Sequence, residues 1–260
     1  MCFFLLAALF SSVAANAQFT KIKSITHTGA ILAGVDRPGE LYLIAPDSTI
    51  TRFDIDGKVQ QTGSLPFLPE VFDPRDGSRL FAFDANTKQY IHFTPFFSFQ
   101  NPPSRPDSAF ALEPAFICSS GDHDMVILDA ADRSLKKINL RSERLMFESI
   151  IPDSALDFNA IQTVREYQNF IFVLDREKGI RIFNMMGRPL RTIVGHDIAY
   201  FSFLGEELYY AQGASLKFFN LFTAETRTLE LPHSARFALL TDERLFLVDE
   251  KSVDIFSLNP

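Results

Sequence analysis

Between Asn169 and Asn184 the chain reads NFIFVLDREKGIRIFN. Apolar β-formers from Phe170 to Leu174 meet a polar turn from Asp175 to Gly179, and a second apolar run from Ile180 to Phe183 stops at Asn184. Short apolar runs bounded by turn residues predict the two strands of a β-hairpin. The same unit recurs six times, each ending on a bulky residue and then a small polar one: Phe53-Asp54, Phe93-Thr94, Ile138-Asn139, Phe183-Asn184, Phe219-Asn220 and Phe256-Ser257. These markers lie 40, 45, 45, 36 and 37 residues apart. A strand-built repeat of this period predicts an all-β, six-bladed β-propeller.

The pattern places strands blade by blade. Blade one takes Ile31 to Val35, Glu40 to Ile44, Ile50 to Asp54 and Val59 to Thr62, with Asp56-Gly57 as a hairpin turn. Blade two takes Leu68 to Phe72, Arg79 to Phe83 and Gln89 to Phe93, and blade three Ala115 to Cys118, Met125 to Leu128 and Leu135 to Ile138. Blade four adds Ile161 to Val164 and Pro189 to Val194 around the opening hairpin. Blade five takes Ile198 to Phe203, Glu207 to Tyr210, Leu216 to Phe219 and Thr226 to Leu231. Blade six has only Ala235 to Leu240, Arg244 to Val248 and Ser252 to Phe256. Its missing strand is expected from Phe19 to Ile25, so that the N-terminal strand closes the last blade and hides two sheet edges.

Residues 1–17 stand outside the repeat. Phe3 to Phe10 is too short to span a bilayer, and Ala15-Asn16-Ala17 supplies small residues for a signal peptidase, so a secretory signal and a mature start at Gln18 are expected. No Lys or Arg precedes the apolar run, which is unusual for such a signal. Cys2 lies before that run, where no lipobox would place it. With Cys2 removed, Cys118 is the only cysteine; it sits in an apolar strand and reads as a buried, inert thiol. The chain has 28 Phe and no Trp, and its net charge of −7 argues against nucleic acid and anionic membrane surfaces as partners.

Four aspartates end second strands, Asp84, Asp129, Asp175 and Asp249, and are read as turn formers whose carboxylates accept backbone N–H groups. First strands line a propeller's channel, so Asp36, Glu70, Glu113, Arg165, Tyr200 and Arg236 are the candidate binding groups. From Thr94 to Pro114 the chain carries five prolines, Pro95, Pro102, Pro103, Pro106 and Pro114, together with Phe96, Phe97 and Phe99, which forbids a central strand. This segment is expected to be an extended loop or irregular outer strand. Its phenylalanines either tuck under neighbouring blades or contact a partner. Asp122, His123 and Asp124 form the densest cluster of metal-ligating types, but no second segment joins them, and a polar turn is the favoured reading. No GxSxG, P-loop, dinucleotide fingerprint, HExxH or CxxC is present, so no catalytic residue and no cofactor is assigned.

Through units such as Glu40 to Asp54, ELYLIAPDSTITRFD, followed by Asp56-Gly57-Lys58, the repeats resemble six-bladed propellers of the loose NHL and TolB-like kind. Without Trp the chain lacks the WD dipeptide, the tryptophan-docking motif of quinoprotein propellers and the Asp-box of sialidases. The resemblance implies a binding or scaffolding module. The expected role is non-enzymatic docking of an envelope protein or peptide in the periplasm. A hydrolase or lyase acting on a small polar or glycan substrate at the channel mouth is the alternative, and a cation sensor at Asp122 to Asp124 a third reading.

Overall fold

In the computed structural model, residues 19–121, 123–152 and 156–258 are described. The proposed signal segment therefore lies outside the described residues, as does Asp122. The strands form six antiparallel sheets. Blade one is β2 (Leu32–Val35), β3 (Leu41–Ile44), β4 (Thr49–Phe53) and β5 (Val59–Ser64); blade two is β6 (Val71–Asp73), β7 (Leu80–Asp84) and β8 (Gln89–Phe93). Blade three is β9 (Pro114–Ser120), β10 (Asp124–Asp129), β11 (Ser134–Asn139) and β12 (Arg144–Ile150). Blade four is β13 (Ile161–Tyr167), β14 (Phe170–Asp175), β15 (Gly179–Asn184) and β16 (Pro189–Ile193). Blade five is β17 (Phe201–Leu204), β18 (Glu207–Gln212), β19 (Ser215–Asn220) and β20 (Thr226–Glu230). Blade six is β21 (Phe237–Leu240), β22 (Arg244–Val248), β23 (Ser252–Leu258) and, as its outer strand, β1 (Phe19–Thr26). The six-bladed propeller read from the repeats is the fold observed.

Closure occurs where the sequence places it. β1 pairs antiparallel with β23 from Phe19 opposite Leu258 to Thr26 opposite Ser252, with a bulge between Lys21 and Lys23. Asp254 gathers the joint: Lys21 Nζ lies 2.7 Å away, Ser24 Oγ donates at 2.6 Å, and His233 Nε2 lies 3.0 Å away. Gly57, at φ 72°, lets the blade-one turn approach this seam. A Cβ there would lie 2.5 Å from Ile255 Cδ1 and 3.2 Å from Ile25 Cγ2.

The core is a set of seams between blade faces. Tyr42, Ile50, Phe72, Phe93 and Phe97 fill the seam between blades one and two; Leu43, Phe53, Phe246 and Ile255 fill that between six and one. Phenylalanine does the work that Trp does in other proteins, its rings meeting edge-on or tilted, as Phe172 does with Phe201 and Phe203.

The turn chemistry follows the sequence pattern with two departures. Asp84, Asp129 and Asp175 accept N–H groups from the residues after them, and Asp129 also accepts from Leu112 and Glu113. Asp249 differs: its turn is closed by its own N–H donating to Ser252 O at 2.9 Å, which leaves the carboxylate on the surface. At the ends of third strands, Asp54, Thr94, Asn139, Asn184 and Asn220 accept N–H groups from their turns, whereas Ser257 Oγ donates to Thr20 O across the closing seam.

Blade three carries a fourth strand, β12, that the apolar pattern does not single out. Most of its side chains are exposed, so no buried face imposes alternation. In blade two the fourth strand is replaced by the Pro-rich segment. It turns back at Thr94–Ser98 and lies along β8, bridging Phe99 to Phe93 and Ser104 to Tyr90. Phe97, at φ 56°, is 9 % exposed and sits on Gly63, where a Cβ would come within 2.8 Å of the ring. Phe96 is 69 % exposed under the Arg52 guanidinium, and Phe99 is partly exposed. The segment is thus an irregular outer strand with one phenylalanine tucked in and two facing out.

Candidate functional site

All six innermost strands run the same way, so their C-terminal ends and the loops that follow meet on one face. There they enclose a cavity of about 700 Å³, lined from every blade: Asp36 and Arg37, Asp73, Arg75, Asp76 and Arg79, Ser119 and Gly121, Glu166 to Asn169, Ser202 to Gly205, and Leu240 to Asp242. The β13–β14 turn that projects into it holds Gln168 at φ 47° and Asn169 at φ 65°, the two successive left-handed residues of a type I′ hairpin. Tyr167 Oη and Gln168 Nε2 both donate to Gly205 O, at 2.7 and 3.1 Å, tying blade four to blade five at the rim.

The floor is closed by two arginines that cross the channel. Arg75 makes a bidentate ion pair with Asp73, and its Nη2 donates to Glu166 O of blade four at 2.8 Å. Its guanidinium also lies 5.5 Å from the Tyr167 ring centre and 5.2 Å from that of Phe203. Burial alone would raise the Asp73 carboxyl, but the charge and hydrogen bonds of Arg75, with Arg165 nearby, hold it at about 2. Burial disfavours the Arg75 cation too, and the Asp73 charge more than offsets it, raising the guanidinium above its ordinary value. Arg165, buried, lies over Tyr200 at 4.9 Å and Phe201 at 5.7 Å, and its Nη2 donates to Phe72 O of blade two at 3.4 Å. Cys118 is fully buried within the field of Asp73, Arg75 and Glu166; burial pushes its thiol up, so it is not a nucleophile at neutral pH.

The candidates chosen from first strands are distributed differently. Of the six, Asp36 alone lines the mouth, and it is engaged: Glu40 N donates to Oδ1 at 2.8 Å and Tyr42 Oη to Oδ2 at 3.0 Å. Burial raises the Asp36 carboxyl despite these bonds. Arg165 and Tyr200 are brought together in the floor, and neither lines the cavity. Glu70, Glu113 and Arg236 precede the innermost strands of blades two, three and six, at the opposite end of the channel. Glu70 holds a turn by accepting from Ala85 N and Asn86 Nδ2, and Arg236 Nη1 donates to Ala30 O at 3.0 Å. Glu70, Glu113, Arg165 and Arg236 therefore do not converge on one concave site.

Phe96, Phe97 and Phe99 lie on blade two's outer edge, remote in topology from the mouth. Of the weak metal candidates, Asp124 accepts from Asn139 Nδ2 at 2.6 Å and pairs with Lys137 at 3.1 Å, while His123 faces a separate groove. Among the described residues no group of three or more His, Cys, Asp or Glu could hold a metal ion.

The residues that build the floor, Asp73, Arg75, Glu166, Tyr167 and Phe203, were not singled out in the sequence. The signal that could have found them is Asp73-Pro74-Arg75-Asp76-Gly77, a turn with alternating charge directly after a first strand.

No helix among the described residues is long and apolar enough to cross a membrane. No family model matches the chain, and no curated protein matches it. Solved structures do. Raptor of Chaetomium thermophilum shares 12 % identity at a TM-score of 0.55 over 86 % of this chain, which spans only 23 % of the Raptor chain. The Cps50 (Swd1) β-propeller domain of Myceliophteria thermophila shares 13 % identity at a TM-score of 0.56, over 93 % of this chain and 100 % of that one. BBS1N, solved in complex with ARL6DN, shares 10 % identity at a TM-score of 0.56, over 93 % of this chain and 97 % of that one. At such identities the likeness concerns the fold: the chain is a β-propeller, and the narrower NHL and TolB-like resemblance has only loose support.

Proposed function

We propose that the protein is a non-enzymatic docking ring that binds a protein or peptide at the mouth where the innermost strands end. The observation that carries this reading is the division of charge there. The floor charges are consumed by one another, Asp73 with Arg75, whereas Arg37, Asp76 and Asp242 stand exposed on the rim, presented by loops of blades one, two and six. A rigid concave surface with fixed, mixed charges suits recognition of a complementary polar segment. BBS1N, which has the same fold, was solved with a protein partner, and this agrees with the reading without identifying a partner here. We place the ring in the bacterial envelope, exported by residues 1–17; N-terminal sequencing of the mature protein should begin at Gln18. The hydrolase or lyase alternative has no observation in its favour, since the carboxylates and arginines it depended on do not share a cavity.

The test is crosslinked affinity purification from the native envelope, run with the wild-type protein and with an Arg37→Glu, Asp76→Lys, Asp242→Lys variant whose melting temperature matches it. A stoichiometric partner recovered by the first and lost by the second is the expected result. A partner retained by both moves the docking face elsewhere, and no partner with either removes the docking reading.

A further inference from the structure

A second cavity, of about 620 Å³, lies on the same face between blades two and three, roofed by the Pro-rich segment. Its inner wall is aromatic: the His92 ring lies 5.2 Å from Phe81 and 5.9 Å from Tyr90. Phe110, Pro102 and Pro106 add apolar surface from the roof, and Ile138 and Leu140 from blade three. Two polar groups in this groove lack partners among the described residues. Arg79, half-buried immediately before β7, makes no side-chain ion pair or hydrogen bond among the described residues, although acidic residues outnumber basic ones in the chain, 32 to 25. Nε2 of His92 is buried with nothing to bond to. Buried polar atoms are almost always satisfied, so the orphan imidazole nitrogen of His92, beside a partly exposed guanidinium with no protein partner, marks a place for an acceptor-rich ligand. The volume is that of a small-molecule site.

We propose that this groove binds a small aromatic carboxylic acid, with Arg79 engaging the carboxylate and the Tyr90–His92 wall receiving the ring. A planar carboxylate matches the guanidinium fork, and the aromatic wall, its Tyr90 and His92 rings meeting edge-on, favours a flat apolar body over an aliphatic chain. His92 is kept neutral by burial and by Arg79, so Arg79 supplies the positive charge there at neutral pH. No acidic neighbour among the described residues pairs with Arg79: Asp107 accepts from Ala109 N at 2.8 Å, Asp76 from Ser78 Oγ at 2.7 Å, and Glu143 is exposed on its loop. The groove shares Arg79 with the lining of the mouth, but the rim charges Arg37, Asp76 and Asp242 do not line it, so binding here is read at His92 and His123 and not at the rim.

The probes are phenylacetate, its neutral analogue phenylacetamide, and acetate, titrated into the full chain while the imidazole resonances of the five histidines are followed by NMR. Phenylacetate should shift His92 and His123 and saturate with a Kd near 1 mM or below, as expected for so small a ligand. Phenylacetamide and acetate should bind at least about 10-fold more weakly. Arg79→Met should bring the acid down to the level of the amide, and Arg79→Lys should retain part of the preference. Equal binding of acid and amide by the wild type overturns the proposal, as does the absence of saturable shifts at His92 up to about 10 mM. Should Arg79→Met fail to fold, the ratio of acid to amide in the wild type decides alone.

Discussion

Arg75 shows how a side chain that no motif announces can hold a fold together. It joins blade two to blade four and lies against Tyr167 of blade four and Phe203 of blade five, so its loss leaves the Asp73 carboxylate buried without its ion-pair partner, with only the Arg165 charge nearby. Arg75→Met should cost about 3–5 kcal/mol of unfolding free energy in denaturant titration. Asp73→Asn in the same chain should recover part of that loss, and a double-mutant cycle measures the coupling. His92 gives a second test with a definite sign. Burial and Arg79 push its pKa from 6.5 down to about 3, with Asp76 opposing, so the unfolded chain takes up a proton that the folded one refuses. Stability from this group is complete above pH 6.5 and is lost as pH falls toward 3, with a slope of at most about 1.4 kcal/mol per pH unit. His92→Phe should flatten the acid side of the stability profile in that window. Asp73 contributes a further loss only at lower pH, between about 4 and 2.

At the scale of elements, the ring depends on β1. Removing residues 19–26 strips the outer strand from blade six and exposes the apolar edge that Ile25 covers beside Gly57. The melting temperature should fall by more than about 10 °C, since a domain of this size loses roughly 2–4 °C per kcal/mol. An unchanged melt would mean that β1 is ornamental. Gly57→Ala probes the same seam with one methyl group: strain at φ 72° and collision with Ile255 should cost about 1–3 kcal/mol in the same assay. Elements like these were legible because each buries a face: β7, β10, β14 and β22 are apolar runs whose ends carry Asp or a tight turn. β12 was not legible, because it is exposed along most of its length and the turn before it, Leu140 to Glu143, has no glycine to announce a hairpin as Gly57 does before β5 and Gly187 before β16. The Pro-rich segment was legible as a departure, but whether Phe97 pointed in or out depended on Gly63 of another blade. The candidate site was read least well. Strand position says which residues begin or end an innermost strand, but the mouth is made by the loops after the strand, and Glu70, Glu113 and Arg236 stand before it.

For the whole molecule, Cys118 offers a built-in reporter. With Cys2 replaced by Ser it is the single thiol, fully buried in the channel wall, and it should react with a thiol reagent only as fast as the ring opens. Labelling should be slow in the wild type and accelerate in step with the destabilisation measured for Arg75→Met; rapid labelling of the intact ring would contradict the burial described. Closure through β1 also sets an order of events. The first strand of the fold to be synthesised is paired by the last, β23, so blade six stays incomplete until β23 has been made. At ribosomal speed this leaves residues 19–26 waiting roughly 12–50 s with no neighbour. Their sequence suits that wait, because FTKIKSIT sets Lys21 and Lys23 on either side of Ile22, and charges so spaced keep a solitary strand from pairing with a stranger. The joint that seals the ring thus also dates its completion, since the first blade boundary to be made is the last to be closed.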